Sequence, residues 1–449
     1  MKCINGHTAK TTPVCQHVLN REIETGVKRF TGVSDNFELL CEHCLTLETY
    51  KHHYLCDSCL EEVEGEADWM FHGMPEIPFR NESFTFEDTV YEFKELKDNA
   101  VIATAADPNN SAWLIFLANG KLFYFDPIKN RLVHKLSISD DCIRRDGCIN
   151  LKISHDSSMI AITSCAPYIY DTHVSDMPLL KAASNHGGVF DLCSGEMLFK
   201  LDMDSYHTEN NDFPLAFIQQ GERALLIHGT DWNRVDISDP RTSECLTARD
   251  IDYKARAVDT EWLGRLIVTP DLQWVATVGW VWHPIGICYA WNLQVWLNEN
   301  PWEPEYGKSK KKFSAWEYFW EGPFCWLSNE LLCIWGYDKY HDANDTPLDS
   351  VAIYNVKTGE LASWFAGPTK EVFFFDGYLF SGKPDSGGAK ALTIWDVSDG
   401  ALLYTEPDLA PLDYHADTRE FISIDTDKAQ IKLTTWFNLD SAVGGVCLS

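Results

Sequence analysis

No apolar run in this sequence is long enough to cross a bilayer, and Met1 to His7 carry no hydrophobic stretch of the kind that directs export. A cytosolic protein is therefore expected. Basic residues are scarce: 37 Lys and Arg stand against 67 Asp and Glu, a formal net charge of −30. Such a surface repels the phosphates of nucleic acids and anionic membranes, so neither is expected as a partner, whereas a basic protein is favoured. Acidity also serves simply to keep a large protein soluble. Gly and Pro are scattered rather than clustered, so no long disordered linker is expected.

The familiar catalytic fingerprints are missing as well. There is no HExxH, GxSxG, EF-hand or dinucleotide-binding pattern. Residues 377–384 begin like a phosphate-binding loop, but Pro384 stands where a hydroxyl residue would hold magnesium, and the setting reads as a hairpin. The acidic stretches 202–212 and 338–349 lack the glycine of a tight calcium loop and read as solvated turns. His155 beside Asp156 reads as a turn pair, with no nucleophile assigned to it. No enzyme is expected.

Cysteine, by contrast, is plentiful, with 15 residues and no export signal to imply disulfides. Cys41-x-x-Cys44 and Cys56-x-x-Cys59 form two knuckles, each able to present two thiolates to one metal ion. Together they supply the four sulfur ligands that zinc prefers. A redox role would need a single CxxC beside a βαβ unit, which is absent. Upstream, Cys3, His7, Cys15 and His17 offer a second set of two thiols and two imidazoles. Any of these could also replace a ligand of the first site, and His43, His52 and His53 are further candidates. This pattern resembles zinc-ribbon and treble-clef modules, and it implies a zinc-binding domain over residues 1–80. A site closed by four protein ligands leaves no position for a catalytic water, so its role is structural. Pro75 and Pro78 mark the boundary.

From about residue 83 the chain repeats one phrase: an apolar run, an aromatic–acidic pair, a turn, another apolar run. Ala391 to Tyr404 and Val351 to Trp364 are the plainest copies, each interrupted at a glycine, Gly400 or Gly359. Strict alternation on both sides of a turn predicts an antiparallel hairpin with one buried face. The markers Asp126, Asp191, Asp236, Asn292, Asn355 and Asp396 are 65, 45, 56, 63 and 41 residues apart. The shorter intervals approach the length of a four-stranded propeller blade. Here the chain resembles the WD-repeat β-propellers and their degenerate relatives, although only Trp395-Asp396 is a literal Trp-Asp and the early Gly-His dipeptide is missing. The resemblance implies a mainly β protein: a propeller of about seven blades over 83–449, preceded by the zinc-binding domain. The segment from 411 to 436 is one strand short, and Ser83 to Phe93 can lend it the missing outer strand.

Eleven of the 17 tryptophans fall between Trp262 and Trp335. Within that region, residues 298–320 read as an aromatic loop beside carboxylates and lysines. Trp302, Glu303, Trp316, Tyr318 and Trp320, with Asp338, Asp342 and Asp345 in the next acidic loop, are the expected partner-binding residues. The function expected first is a non-enzymatic protein-binding platform, in its specific form an inhibitor or immunity protein that neutralises a basic toxin such as a nuclease. The alternatives are a zinc-plus-propeller scaffold like the ubiquitin-ligase adaptors, and a propeller hydrolase or lactonase with a metal in its central channel.

Overall fold

Alternating strands dominate the computed structural model, which describes residue 4 and residues 11–21, 25–30, 37–47, 51–64, 68–72, 75–170, 179–203, 211–249, 261–281, 285–317, 319–320, 322–337, 347–384 and 390–439. The N-terminal part contains β1 (Thr11–Val14), α1 (Gln16–Leu19), β2 (Thr25–Phe30), β3 (Phe37–Leu40), α2 (Glu42–Leu45), β4 (His53–Cys56), α3 (Asp57–Glu64) and β5 (Asp68–His72). Its strands form one sheet in the order β4-β1-β3-β2-β5. Val14, Val18, Leu39, Leu40, Leu55 and Leu60 form its small core together with Cys15, Cys41 and Cys44.

Among the described residues, seven four-stranded antiparallel sheets follow. In each of the first six the strands are consecutive along the chain, apart from a two-stranded hairpin, Ile169–Tyr170 with Leu179–Lys181, inserted in the second sheet. The seventh contains Asp413–His415, Glu420–Asp425 and Gln430–Asn438, and its fourth strand is β6 (Phe84–Glu92). β6 pairs antiparallel with Gln430–Asn438 from Gln430↔Glu92 to Asn438↔Phe84. The strand expected to be lent across the chain is therefore lent.

Each sheet buries both faces against its neighbours. Phe116 and Leu136 of the first pack with Ile160 and Phe190 of the second, and Ile227 and Val235 of the third with Val275 and Trp291 of the fourth. Similar clusters join second to third, fourth to fifth, fifth to sixth and sixth to seventh. The seventh packs on the first through Ile422, Ile431 and Leu433 against Trp113 and Phe125. Residues in or beside the first strands of all seven sheets line a single cavity of about 400 Å³.

The repeated aromatic–acidic phrase has a local cause. The Asp or Asn ends the third strand and accepts a hydrogen bond from the backbone two residues on: Cys193 N to Asp191 Oδ1 (3.0 Å), Lys357 N to Asn355 Oδ1 (2.9 Å) and Ser398 N to Asp396 Oδ1 (2.8 Å). Gly195, Gly359 and Gly400 then take φ of 76°, 82° and 73°, a left-handed conformation that costs glycine nothing. In the third sheet the capping acid is Asp239, bonded by Arg241 N at 2.9 Å, and not Asp236. Asn292 instead caps α4 (Leu293–Asn298) by accepting from Val295 N at 2.9 Å. That helix opens an insertion before the fourth strand.

Trp436 sits where the last sheet closes, 2% exposed, donating from Nε1 to the Tyr414 hydroxyl (3.0 Å) and packed against Phe84 of β6 and Phe380 of the sixth sheet. Trp436→Ala is expected to destabilise the protein by about 3–5 kcal/mol, the usual cost of emptying a large aromatic site, read as a lower urea midpoint at unchanged slope.

Candidate functional site

The N-terminal sheet builds a cysteine–histidine cluster from two copies of one local device. β1 and β3 run parallel with Val14 opposite Leu39, and Cys15 N donates to Leu39 O at 3.0 Å. Each strand is followed by a cysteine at the N-cap of a one-turn helix in nearly identical backbone geometry, φ −79° and ψ 164° at Cys15, φ −81° and ψ 161° at Cys41. The helices swing His17 and Cys44 back toward the caps. Cys41 Sγ accepts from Cys44 N at 3.3 Å, and His17 Nδ1 lies 3.4 Å from both Cys41 Sγ and Cys44 Sγ. The ligand atoms of Cys15, His17, Cys41 and Cys44 all lie within 4.8 Å of one another, so the group can hold a metal ion. Burial, then the neighbouring Cys41 and Cys15 thiols, push Cys44 up to about 12. Three thiolates so close repel one another unless a cation sits among them.

This set differs from the one expected by spacing. Cys41 and Cys44 are joined by Cys15 and His17, not by Cys56 and Cys59. The reason is strand direction: β4 runs antiparallel to β1 with Thr11 opposite Cys56 and Val14 opposite His53. Cys56 therefore lies opposite the far end of β1 from Cys15, about 13 Å away along the strand at the usual rise per residue. Spacing identifies knuckles, but only the pairing of strands says which knuckles meet. Cys3 and His7 lie outside the described residues.

The aromatic segment is also rearranged. Trp302 and Glu303 belong to the insertion of α4 and α5 (Glu303–Tyr306), while Trp316 and Trp320 lie in and beyond the strand Lys311–Glu317 that follows it. Glu303 was expected to face a partner, but it is 2% exposed: it accepts from Ser309 N (2.8 Å), Ser309 Oγ (2.6 Å) and Asn300 Nδ2 (2.7 Å), holding the insertion in shape. Trp302 is half-buried, 5.2 Å from the Arg249 guanidinium and 6.2 Å from the Tyr306 ring. The buried Arg249 pairs with both Asp236 of the third sheet and Glu305 of α5, which fastens the insertion down. Trp320 is half-buried and ends a row of rings, Trp232–Trp262–Trp280–Trp320, with centroids 4.7, 4.1 and 5.8 Å apart. Trp316, half-buried, packs 6.4 Å from Trp335. Tyr318, Asp338, Asp342 and Asp345 lie outside the described residues.

The row marks one edge of the sheets. In a four-stranded meander the second-to-third connection and the connection to the next sheet leave from the same edge. Trp232 lies in the first kind, Trp320 in the second, and Trp262 and Trp280 at the adjoining strand ends. The same edge carries the long connections 167–183, 203–214, 246–260 and 336–349. Apart from the helical insertion, the opposite edge has short turns such as 154–158, 221–222, 327–330 and 376–378.

The cavity at the centre presents Lys152 and Arg265 with Asp212 and Asp413, all half-buried. Among the described residues, no group of three metal-capable side chains gathers there. Burial pushes Asp413 up to about 6, opposed by the Tyr414 backbone N–H and the charge of Lys152, and burial pushes Lys152 down. Comparison of the chain with protein-family models finds no match, and comparison with curated proteins finds none either.

Two outcomes follow from these charges. Because ionised Asp413 is disfavoured in the fold, its contribution to stability is complete below its unfolded pKa of about 4 and is lost as pH rises through about 6. Asp413→Asn should match the wild type in Tm at low pH and gain on it as pH climbs through that window. Arg249→Met leaves Asp236 and Glu305 short of a cation in a buried setting. It should cost roughly 3 kcal/mol in urea unfolding.

Proposed function

We propose that the seven sheets are the blades of a closed β-propeller, and that the chain is a non-enzymatic protein-binding platform. The observation that carries this reading is the asymmetry of the two edges. The longest connections leave from one edge, which also carries a row of half-buried and buried tryptophans, while short, side-chain-capped turns close most of the other. Loops on a rigid scaffold are where binding residues concentrate, and aromatic anchors dominate the energetics of protein interfaces. The core clusters joining every neighbouring pair, seventh to first included, support the closed ring.

The client is a basic protein, drawn by the net charge of −30 and anchored on the tryptophan row. In its most specific form it is a toxin that the platform blocks. The metal of the N-terminal cluster is zinc. Tetrahedral zinc with bonds of about 2.3 Å to sulfur and 2.0–2.1 Å to nitrogen sets sulfur and nitrogen about 3.5 Å apart. The observed separations of 3.4 Å between His17 Nδ1 and two of the thiols match it. With three thiolates and one imidazole the set is closed, so zinc would supply folding free energy to a module with a small core.

Affinity capture from the source cell at low salt should yield one basic protein whose binding weakens steeply as salt is added. Trp232→Ala or Trp320→Ala should weaken it at least tenfold and Trp302→Ala should not. An acidic client, or equal loss from Trp302→Ala, would overturn the choice of edge and charge. Turnover of a substrate by the purified chain would overturn the platform reading itself.

A further inference from the structure

The first strand of the second sheet, Cys148–Ile153, sends alternate side chains to opposite faces. Leu151, with Ile149 and Ile153 beside it, packs toward the first sheet. Cys148, Asn150 and Lys152 therefore face the third. Two of them find partners there: Cys148 Sγ donates to Asp212 Oδ1 at 2.8 Å, and Asn150 Nδ2 donates to Phe213 O at 3.1 Å. Lys152 finds none. Among the described residues its ammonium makes no hydrogen bond or close ion pair, and it lines the central cavity instead. A charged group drawn out of water without a partner is costly, so a buried one left open asks for an acceptor from outside the chain.

The rest of the wall is divided by sheet. Asp212 precedes the first strand of the third sheet, Arg265 belongs to the fourth and Asp413 to the seventh. Lys152, Asp212 and Arg265 thus alternate in sign over three successive sheets. Arg265 gives one N–H to Gly322 O (3.3 Å) and lies 5.0 Å from the Phe324 ring, which leaves most of its donors uncommitted. The fifth and sixth sheets add no charge to the wall; Phe324, Val372 and Phe374 form an apolar arc there. We propose that this cavity binds a free α-amino acid with an apolar side chain. Two charges of each sign give a plain anion or a plain cation no net attraction. A ligand with carboxylate and ammonium on one carbon meets neighbours of both signs at once, the carboxylate on Lys152 and Arg265 and the ammonium on Asp212. Its side chain lies against the apolar arc. A volume of about 400 Å³ falls within the range of small-molecule sites. Val101, Cys148, Phe324, Phe373 and Asp413, the opening residues of five first strands, all line the cavity, so it lies toward the edge that carries the tryptophan row. The inference goes beyond the platform reading and requires the cavity alone, with no client bound.

Isothermal titration of the full-length chain at neutral pH tests this, with L-phenylalanine and L-leucine as probes. Saturable binding of at least one, at a single site per chain, is the expected result. Two analogues of phenylalanine each lack one charge: 3-phenylpropionate has no ammonium and 2-phenylethylamine no carboxylate. Both should bind the wild type about tenfold more weakly than L-phenylalanine, or less. Lys152→Met and Arg265→Met should each weaken the amino acid by a similar factor, whereas Trp302→Ala, on the opposite edge, should leave it unchanged. Far-UV circular dichroism reports whether each variant keeps its sheets, and the analogue comparison on the wild type needs no variant at all. Absence of saturable heat from both amino acids up to about 10 mM would overturn the site. Equal affinity for L-phenylalanine and either single-charge analogue would overturn the zwitterion. A folded Lys152→Met that binds as tightly as the wild type would remove the cavity from the binding.

Discussion

The pairing of β6 with Gln430–Asn438 governs everything after residue 83. A row of sheets joined only in sequence would end in two exposed faces and an open strand edge. Here nine consecutive pairs, from Gln430↔Glu92 to Asn438↔Phe84, remove the edge, and the seventh sheet presents a complete face to the first. Trp113 and Phe125, both fully buried, then have apolar partners on each side. Burial of aromatics of this size is worth about 1.5–3 kcal/mol each, so the closing contact is a substantial fraction of a marginal total.

The repeats were legible because a hairpin in a half-buried sheet has a rigid grammar. Alternation sets the faces, the acid caps the turn and glycine takes the left-handed position, and each leaves a letter in the sequence. Where a second chemistry intrudes, the letters mislead. Asp236 looks like a turn acid because it follows Val235, yet it is buried in a charge cluster with Arg234 and Arg249, and the turn is capped three residues later by Asp239. Ser243 shows the same limit, since it takes a left-handed φ of 62° that only a glycine such as Gly120, at 83°, would announce.

The metal cluster was half legible. Cysteine pairs three residues apart announce knuckles, and the residues that gather were among the candidates. Which knuckles share an ion is decided by whether two strands run parallel or antiparallel, information that no spacing contains. Glu303 failed for a different reason. A carboxylate in a Trp- and Lys-rich segment reads as exposed, but Asn300 and Ser309, three and six residues off, satisfy its oxygens internally. Local hydrogen-bond closure of that kind hides in sequence because asparagine and serine are commonplace.

The borrowed strand also imposes an order on biosynthesis. Asp88 and its partner Thr434 are 346 positions apart. At a translation rate of about 5–20 residues per second, β6 emerges roughly 17–70 s before the strand that will cover it. Through that interval it is an uncovered ribbon containing Phe84, Phe86, Val90 and Tyr91, the kind of segment that recruits neighbouring nascent chains. Glu87, Asp88 and Glu92 are interleaved with those apolar residues, and like charges so placed oppose the pairing of one such ribbon with another until Gln430–Asn438 covers it.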